Sequence, residues 1–309
     1  MYKEFFNLKE KPFSLNPDPQ FLYLSKNHIR AQTMLEYGFH SQAGFTVITG
    51  DIGAGKTTLV NYLLEQEGED VVIGVINNTH ASFGNLMSWI LDAFDLEEPS
   101  LESAKKLRKF TEFVMDQYAD GKRVLLVIDE AQNLSADTLE ELRLISNINI
   151  ASDVFLQLIL IGQPELIEKL NDPKLTQFAQ RIGVDFHLRP MDYVDTGQYI
   201  RHRLKVAGSQ KSIFTTDAIA AIFCFSEGVP RRINTICDMA LVYAFADDSK
   251  IINAQLIIDV IKDRNLSAVI RPTTLRAKEV RDVAHWLDEV KGVDISAMLP
   301  ELESPTQNA

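Results

Sequence analysis

Nine consecutive residues, Gly50-Asp51-Ile52-Gly53-Ala54-Gly55-Lys56-Thr57-Thr58, constrain this chain more than any other stretch. They fit G-x-x-x-x-G-K-[ST], the phosphate-binding loop. The flanks supply the context such a loop needs. Phe45-Thr46-Val47-Ile48-Thr49 is apolar and β-branched and reads as a buried strand, while residues 58–64 have helical spacing. Gly50, Gly53 and Gly55 let backbone N–H groups approach a polyphosphate, and Asp51, Ala54 and Thr58 complete the loop. The helix N-terminus adds partial positive charge. Lys56 is expected to reach the β- and γ-phosphates, and the Thr57 hydroxyl to ligate Mg²⁺.

A second motif gives the loop a reaction. Val124-Leu125-Leu126-Val127-Ile128-Asp129-Glu130 is an apolar run ending in two acids. A buried strand of this kind delivers Asp129 to the phosphate edge of a sheet, where it can hold Mg²⁺. Glu130 is then placed to orient and polarise an attacking water. A second acid beside the metal marks hydrolysis rather than passive binding, so ATP and Mg²⁺ are the expected ligands.

Three further residues are singled out by position. Gln163 follows the apolar run 155–161, at the strand end where open α/β folds bind ligands; there it can touch a γ-phosphate or the water, or simply enter a helix at Pro164. Arg181 precedes a short apolar run, where it can reach a phosphate across a subunit boundary or serve as a surface ion pair. Gly228-Val229-Pro230-Arg231 ends one helix and starts another, which puts Arg231 near a helix N-terminus.

The remaining pattern alternates strands and helices. Strands are expected at 45–49, 71–76, 122–129, 155–162 and 184–188. Helices are expected at 27–41, 58–64, 82–95, 101–120 and 136–147. That order predicts an α/β fold with a parallel sheet and right-handed crossovers. After Pro190 the pattern is helical to about residue 264. The expected division is a lead-in at 1–25 rich in aromatics and proline, a sheet unit at 26–190 and a smaller helical unit at 191–264. Residues 265–309 then give a linker, an amphipathic helix at 275–290 and a polar tail. Val280, Val283, Ala284, Trp286, Leu287 and Val290 form the stripe of that helix, which needs its own core or a partner to bury it.

With 309 residues, the chain has room for two or three such units. No run of 18 apolar residues occurs, so no membrane span is expected, and the N-terminus lacks the apolar core of a signal peptide. These features predict a cytoplasmic protein. Cys224 and Cys237, both in apolar segments, read as buried free thiols, with a disulfide as the alternative. No Cys/His cluster has zinc spacing. The net charge of −12 argues weakly against broad nucleic-acid binding.

The motifs in this order resemble an AAA+ ATPase with a helical lid. The resemblance narrows with Phe6-x-Leu8-x-x-x-Pro12-Phe13-x-x-x-Pro17-Asp18-Pro19-x-Phe21-Leu22-Tyr23, Asp129-Glu130-Ala131-Gln132-Asn133-Leu134, Glu140-Glu141-Leu142-Arg143 and Gly162-Gln163-Pro164-Glu165-Leu166. These are similar to ExeA/GspA-type ATPases over residues 1–264, and most similar to the members associated with exosortase (PEP-CTERM) and exopolysaccharide systems. The resemblance implies an oligomeric, cytoplasmic ATPase, peripheral at the inner membrane, with protein partners in envelope export. It implies Gln163 as sensor 1, Arg181 as a finger acting on a neighbouring subunit, and Arg231 as sensor 2. It also implies that Phe21 to Tyr23, with His28, lie near the adenine. Secretion-type members continue into a membrane span and a peptidoglycan-binding region; neither occurs in this sequence, so the resemblance does not extend to cell-wall binding. Transposition ATPases of the TniB/TnsC type share the core and the Glu-Ala-Gln context, which keeps a DNA-associated regulator as the alternative.

Overall fold

The computed structural model describes residues 1–16, 18–66, 68, 70–77, 79, 85–96, 103–148, 154–263 and 277–299. Pro17, the linker at 265–274, the tail at 300–309 and the first residues of the helices expected at 82–95 and 101–120 lie outside them. The chain separates into two compact units. One comprises His28–Ile52 and Lys56–Arg189; the other comprises Met1–Asn27, Gly53–Gly55 and Pro190–Ala309.

The first unit carries the sheet. Its strands are β1 (Phe45–Gly50), β2 (Val71–Ile76), β3 (Arg123–Ile128), β4 (Leu156–Gly162) and β5 (Ile182–Leu188), all parallel, in the order β2-β3-β4-β1-β5. Burial along the strands follows from that order. β4 and β1 are interior and are buried at every position, whereas edge strand β5 exposes Gly183 and Asp185. The crossovers are helical, as β-branched strands alternating with helical spacing require. In chain order the helices of the molecule begin with α1 (Tyr2–Phe5), a single turn inside the lead-in that reads as irregular in sequence, and continue with α2 (Lys26–His40), α3 (Lys56–Leu64), α4 (Leu86–Ala93), α5 (Ser103–Ala119), α6 (Ala136–Ile145), α7 (Glu165–Leu170) and α8 (Thr176–Ala179). The Asn85 and Ser135 side chains accept from the backbone N–H groups of Ser88 and Thr138, and so cap α4 and α6. The cap at Asn85 fixes the start of α4.

Because every strand runs the same way, the loops after β1, β3 and β4 leave from one edge. Thr49 lies beside Gly162, and Ile128 beside Leu160. That register brings the phosphate loop, Asp129-Glu130 and Gln163 to the same end of the sheet. It sends Arg181 to the other end, since Ile182 pairs with Phe45 at the start of β1.

The second unit is helical: α9 (Tyr193–Val206), α10 (Thr216–Ser226), α11 (Pro230–Ala246), α12 (Ala254–Asp263) and α13 (Ala277–Lys291). One isolated parallel bridge, Phe214 to Ile252, joins two of its loops. The lead-in belongs to the core of this unit: Tyr2, Phe6, Phe13 and Phe21 are buried with Ile200, Ile222 and Ile236. Buried Arg203 fastens it, donating to the Pro12 carbonyl and, at 2.8 Å, to the Tyr199 hydroxyl, with its guanidinium over the Phe21 ring. Most of the α13 stripe is covered by its own chain, with Val283 and Trp286 partly buried and Val290 exposed. Val280, Ala284 and Leu287 enter this core, and α13 packs against α10. Cys224 and Cys237 are free and buried, and burial pushes the Cys224 thiol up to about 12. Among the described residues no helix is long and apolar enough to cross a membrane.

Candidate active site

The sheet edge assembles the site from three strand ends. Gly53 and Gly55 adopt φ of +79° and +97°, conformations that favour glycine, and they shape the loop before α3. Lys56, the first residue of α3, is only 8% exposed. Its Nζ donates to the carbonyls of Gly50 (2.7 Å) and Asp51 (3.0 Å), which holds the ammonium across the mouth of the loop. Burial lowers its pKa, and Glu130, Asp129, Asp51 and Glu165 oppose that shift. One Asp51 carboxylate oxygen is buried with no hydrogen-bond partner. Beside the loop, Thr49 Oγ1 and His187 Nδ1 are 3.0 Å apart, and burial lowers the His187 pKa.

Thr57 Oγ1 donates to Asp129 Oδ2 at 2.6 Å. A hydroxyl and a carboxylate in contact are two hard oxygen donors, the donor set Mg²⁺ takes beside phosphates. These residues therefore fit a bound Mg²⁺.

Glu130 is the strained residue of the site. Its φ of 52° and ψ of 37° are left-handed, unusual for a side chain of this size. Neighbours hold it there. Its N–H donates to Asp129 Oδ1 (2.7 Å) and its carbonyl accepts from Thr79 Oγ1 (3.0 Å). Its carboxylate oxygen Oε2 accepts from Gln132 Nε2 (2.5 Å) and Gln163 Nε2 (3.1 Å). Gln132 is also tied to Gln163 directly, because its Oε1 accepts from the Gln163 N–H at 3.1 Å. Two amides thus grip one carboxylate oxygen and leave Oε1 for another donor.

The AAA domain family matches residues 39–170. General secretion pathway protein A of Aeromonas hydrophila is 41% identical over 258 residues, which is 83% of this chain and 47% of that protein. Over most of its length the chain resembles the ExeA/GspA-type AAA+ proteins. It spans about half the length of that curated relative. Among solved structures, Cdc6p of Pyrobaculum aerophilum superposes with a TM-score of 0.62 at 15% identity, over 94% of this chain and 87% of that one. The Aeropyrum pernix ORC2 protein, in its ADPNP–ADP complexes, gives 0.60 at 16% identity, over 95% and 88%. At such identity these two share the fold.

Lys56, Thr57, Asp129, Glu130 and Gln163 come together within this family framework. Arg181 stands apart from them. β5 rises about 3.3 Å per residue, so its length puts Arg181 roughly 20 Å from the phosphate edge. There its guanidinium donates to the Arg143 carbonyl (3.3 Å), Ser146 Oγ (2.6 Å) and Asn147 Oδ1 (2.5 Å). In the helical unit, with which Gly53–Gly55 cluster, the Arg231 N–H donates to the Gly53 carbonyl at 3.3 Å. Phe21 is buried in that unit's core, and the Tyr23 hydroxyl donates to Gln198 Oε1 at 2.6 Å. His28 is buried on α2 in the sheet unit.

Sequence reasoning passed over Gln132 and Thr79 as site residues. Gln132 carried a signal, since it lies two residues beyond the acidic pair. The signal for Thr79 was its place just past the end of β2, on the same sheet edge.

Proposed function

We propose that this chain hydrolyses ATP and uses the cycle to drive or switch assembly of an envelope export system, of the secretion, exopolysaccharide or exosortase type. The observation that carries the reaction is the contact of Thr57 with Asp129 next to a Glu130 carboxylate that has one oxygen free. The export assignment rests on the relative named a general secretion pathway protein.

In this reading the N–H groups of residues 53–58 and Lys56 Nζ bind the β- and γ-phosphates. Thr57 and Asp129 hold Mg²⁺, which when bound supplies charge neutralisation on the phosphate oxygens. Glu130 Oε1 accepts a proton from the water as the water oxygen attacks the γ-phosphorus and ADP leaves. Gln163 keeps the Glu130 carboxylate turned to that water. Arg231 serves as sensor 2 and Arg181 serves a neighbouring subunit, so the working form is a homo-oligomer. The test of the reaction is phosphate release from ATP, followed continuously. Release should stop when EDTA is added and resume with excess Mg²⁺. Turnover that continues with all divalent cations chelated would remove the proposal. For the export role, cells carrying a turnover-deficient chain at normal abundance should lose an exported polymer or protein.

Gln132 acts in this reading as a positioning residue. Hydrogen bonds to charged groups are worth about 1.5–3 kcal/mol, or roughly 10- to 100-fold in rate if felt only in the transition state. Gln132→Leu should lower kcat by about that factor and leave the KM for ATP near the parent value. Equal losses in both constants, or an intact kcat, would show that Gln132 only supports the local fold.

A further inference from the structure

The helical unit contains a cavity of about 660 Å³ whose charged lining is entirely basic. Lys9 of the lead-in, Arg201 and Lys205 of α9, and Lys211 of the following loop all line it, and no carboxylate does. Four cations from three chain segments therefore converge in a protein of net charge −12. Among the described residues none of the four forms an ion pair. All four are exposed, so their charge is carried at the mouth. Beneath them the wall is apolar: Leu204 and Phe214 are buried residues that also line the space.

The local backbone builds this shape. The Lys9 N–H donates to the Ala207 carbonyl at 2.8 Å, which pins the lead-in alongside the end of α9. Gly208 turns the chain there with φ of +94°, and a Cβ at that position would press on the Lys9 side chain at 3.1 Å. The Ser209 N–H closes the turn on the Leu204 carbonyl at 2.9 Å. Unpaired cations in a concave wall focus positive potential and raise the local concentration of anions. The volume is that of a small-molecule site. Arg201 offers a planar fork and the three lysines offer point charges, a combination suited to phosphate oxygens. Nothing in the proposed ATP cycle uses this cavity.

We infer that the cavity is a second ligand site, for a phosphate-bearing molecule whose apolar portion lies over Leu204 and Phe214. The phosphate comes either from a soluble phosphorylated compound or from an anionic lipid headgroup, and the two sources are separable by experiment.

The soluble arm titrates inorganic pyrophosphate into full-length Lys56→Ala protein by calorimetry, so that the P-loop does not contribute. The lipid arm measures cosedimentation of the unmutated chain with phosphatidylcholine vesicles, with and without phosphatidylglycerol. Each arm is repeated with Lys205→Glu/Lys211→Glu, with the milder Lys205→Gln/Lys211→Gln, and with Lys174→Glu/Lys262→Glu as a control for net charge. Thermal melts check that each variant folds. In at least one arm, binding should weaken about tenfold or more in the first pair, less in the second, and little in the control. Loss confined to pyrophosphate identifies a soluble ligand, and loss confined to the phosphatidylglycerol vesicles identifies a headgroup. The proposal is overturned if neither probe binds the parent proteins, if the control pair weakens binding as much as the cavity pairs, or if a poly-glutamate peptide binds where both phosphate probes fail.

Discussion

Glu130→Gln binds ATP as tightly as the parent chain and turns it over about 10²–10⁴-fold more slowly, the span general base catalysis commands. The substitution keeps the side chain's length and an acceptor for the Gln132 and Gln163 amides. It leaves the contact between Thr57 and Asp129 untouched. What it removes is the basic oxygen that takes the water's proton. Binding of a fluorescent ATP analogue, measured beside single-turnover phosphate release, separates the two effects. Hydrolysis at the parent rate would take the proton acceptor's role from Glu130. A matching loss of binding would point instead to a loop that no longer folds around a residue in a left-handed conformation.

Arg181→Ala removes activity by a factor of about 10³–10⁵ if its guanidinium completes a neighbour's site. The specific rate of the parent chain then rises with protein concentration. Mixing Arg181→Ala with Lys56→Ala restores part of the activity, because each chain supplies what the other lacks. The geometry motivates this test: Arg181 sits at the opposite end of β5 from its own phosphate loop. It also binds the Arg143 carbonyl near the C-terminal end of α6, a site where a cation favours the helix dipole. A purely structural role there would lower the melting temperature of Arg181→Ala and leave the parent's rate per subunit independent of dilution. A flat rate in a chain that stays monomeric would end the trans assignment.

Much of the sheet was legible in the sequence because buried parallel strands write themselves as apolar runs. β2 falls on the residues expected, and β1, β3 and β4 differ by a residue or two at their ends. β5 was read two residues short: Gly183 interrupts the run, and only the pairing of Ile182 with Phe45 shows that the strand begins before it. The strand order was not legible, since nothing local tells β4 to enter between β3 and β1. Of the short helices, α7 was signalled only as a helix entry at Pro164, and α8 was missed because it is too brief to display a period. At the site, the residue types of the phosphate loop and of Asp129-Glu130 announced their chemistry. Gln132 offered only its place two residues past Glu130, and an amide there announces no chemistry until the turn folds it back onto Glu130 and Gln163. For α13, an apolar stripe states that a surface is needed but not whose. The packing on α10 answers that for Val280, Ala284 and Leu287.

The lead-in and the helices after Pro190 share one core, and the sheet unit is an insertion between them. Translation must therefore deliver Tyr2, Phe6, Phe13 and Phe21 long before their packing partners exist. At about 5–20 residues per second, roughly 10–40 s pass between the emergence of the lead-in and that of α9. Throughout that interval four aromatic rings travel with the nascent chain uncovered, and the sheet unit has all its residues only by its end. The lead-in and the helices after Pro190 thus find each other late. Its vulnerable moment falls during synthesis, when a chaperone or the ribosome surface has to shield a segment that the finished molecule buries.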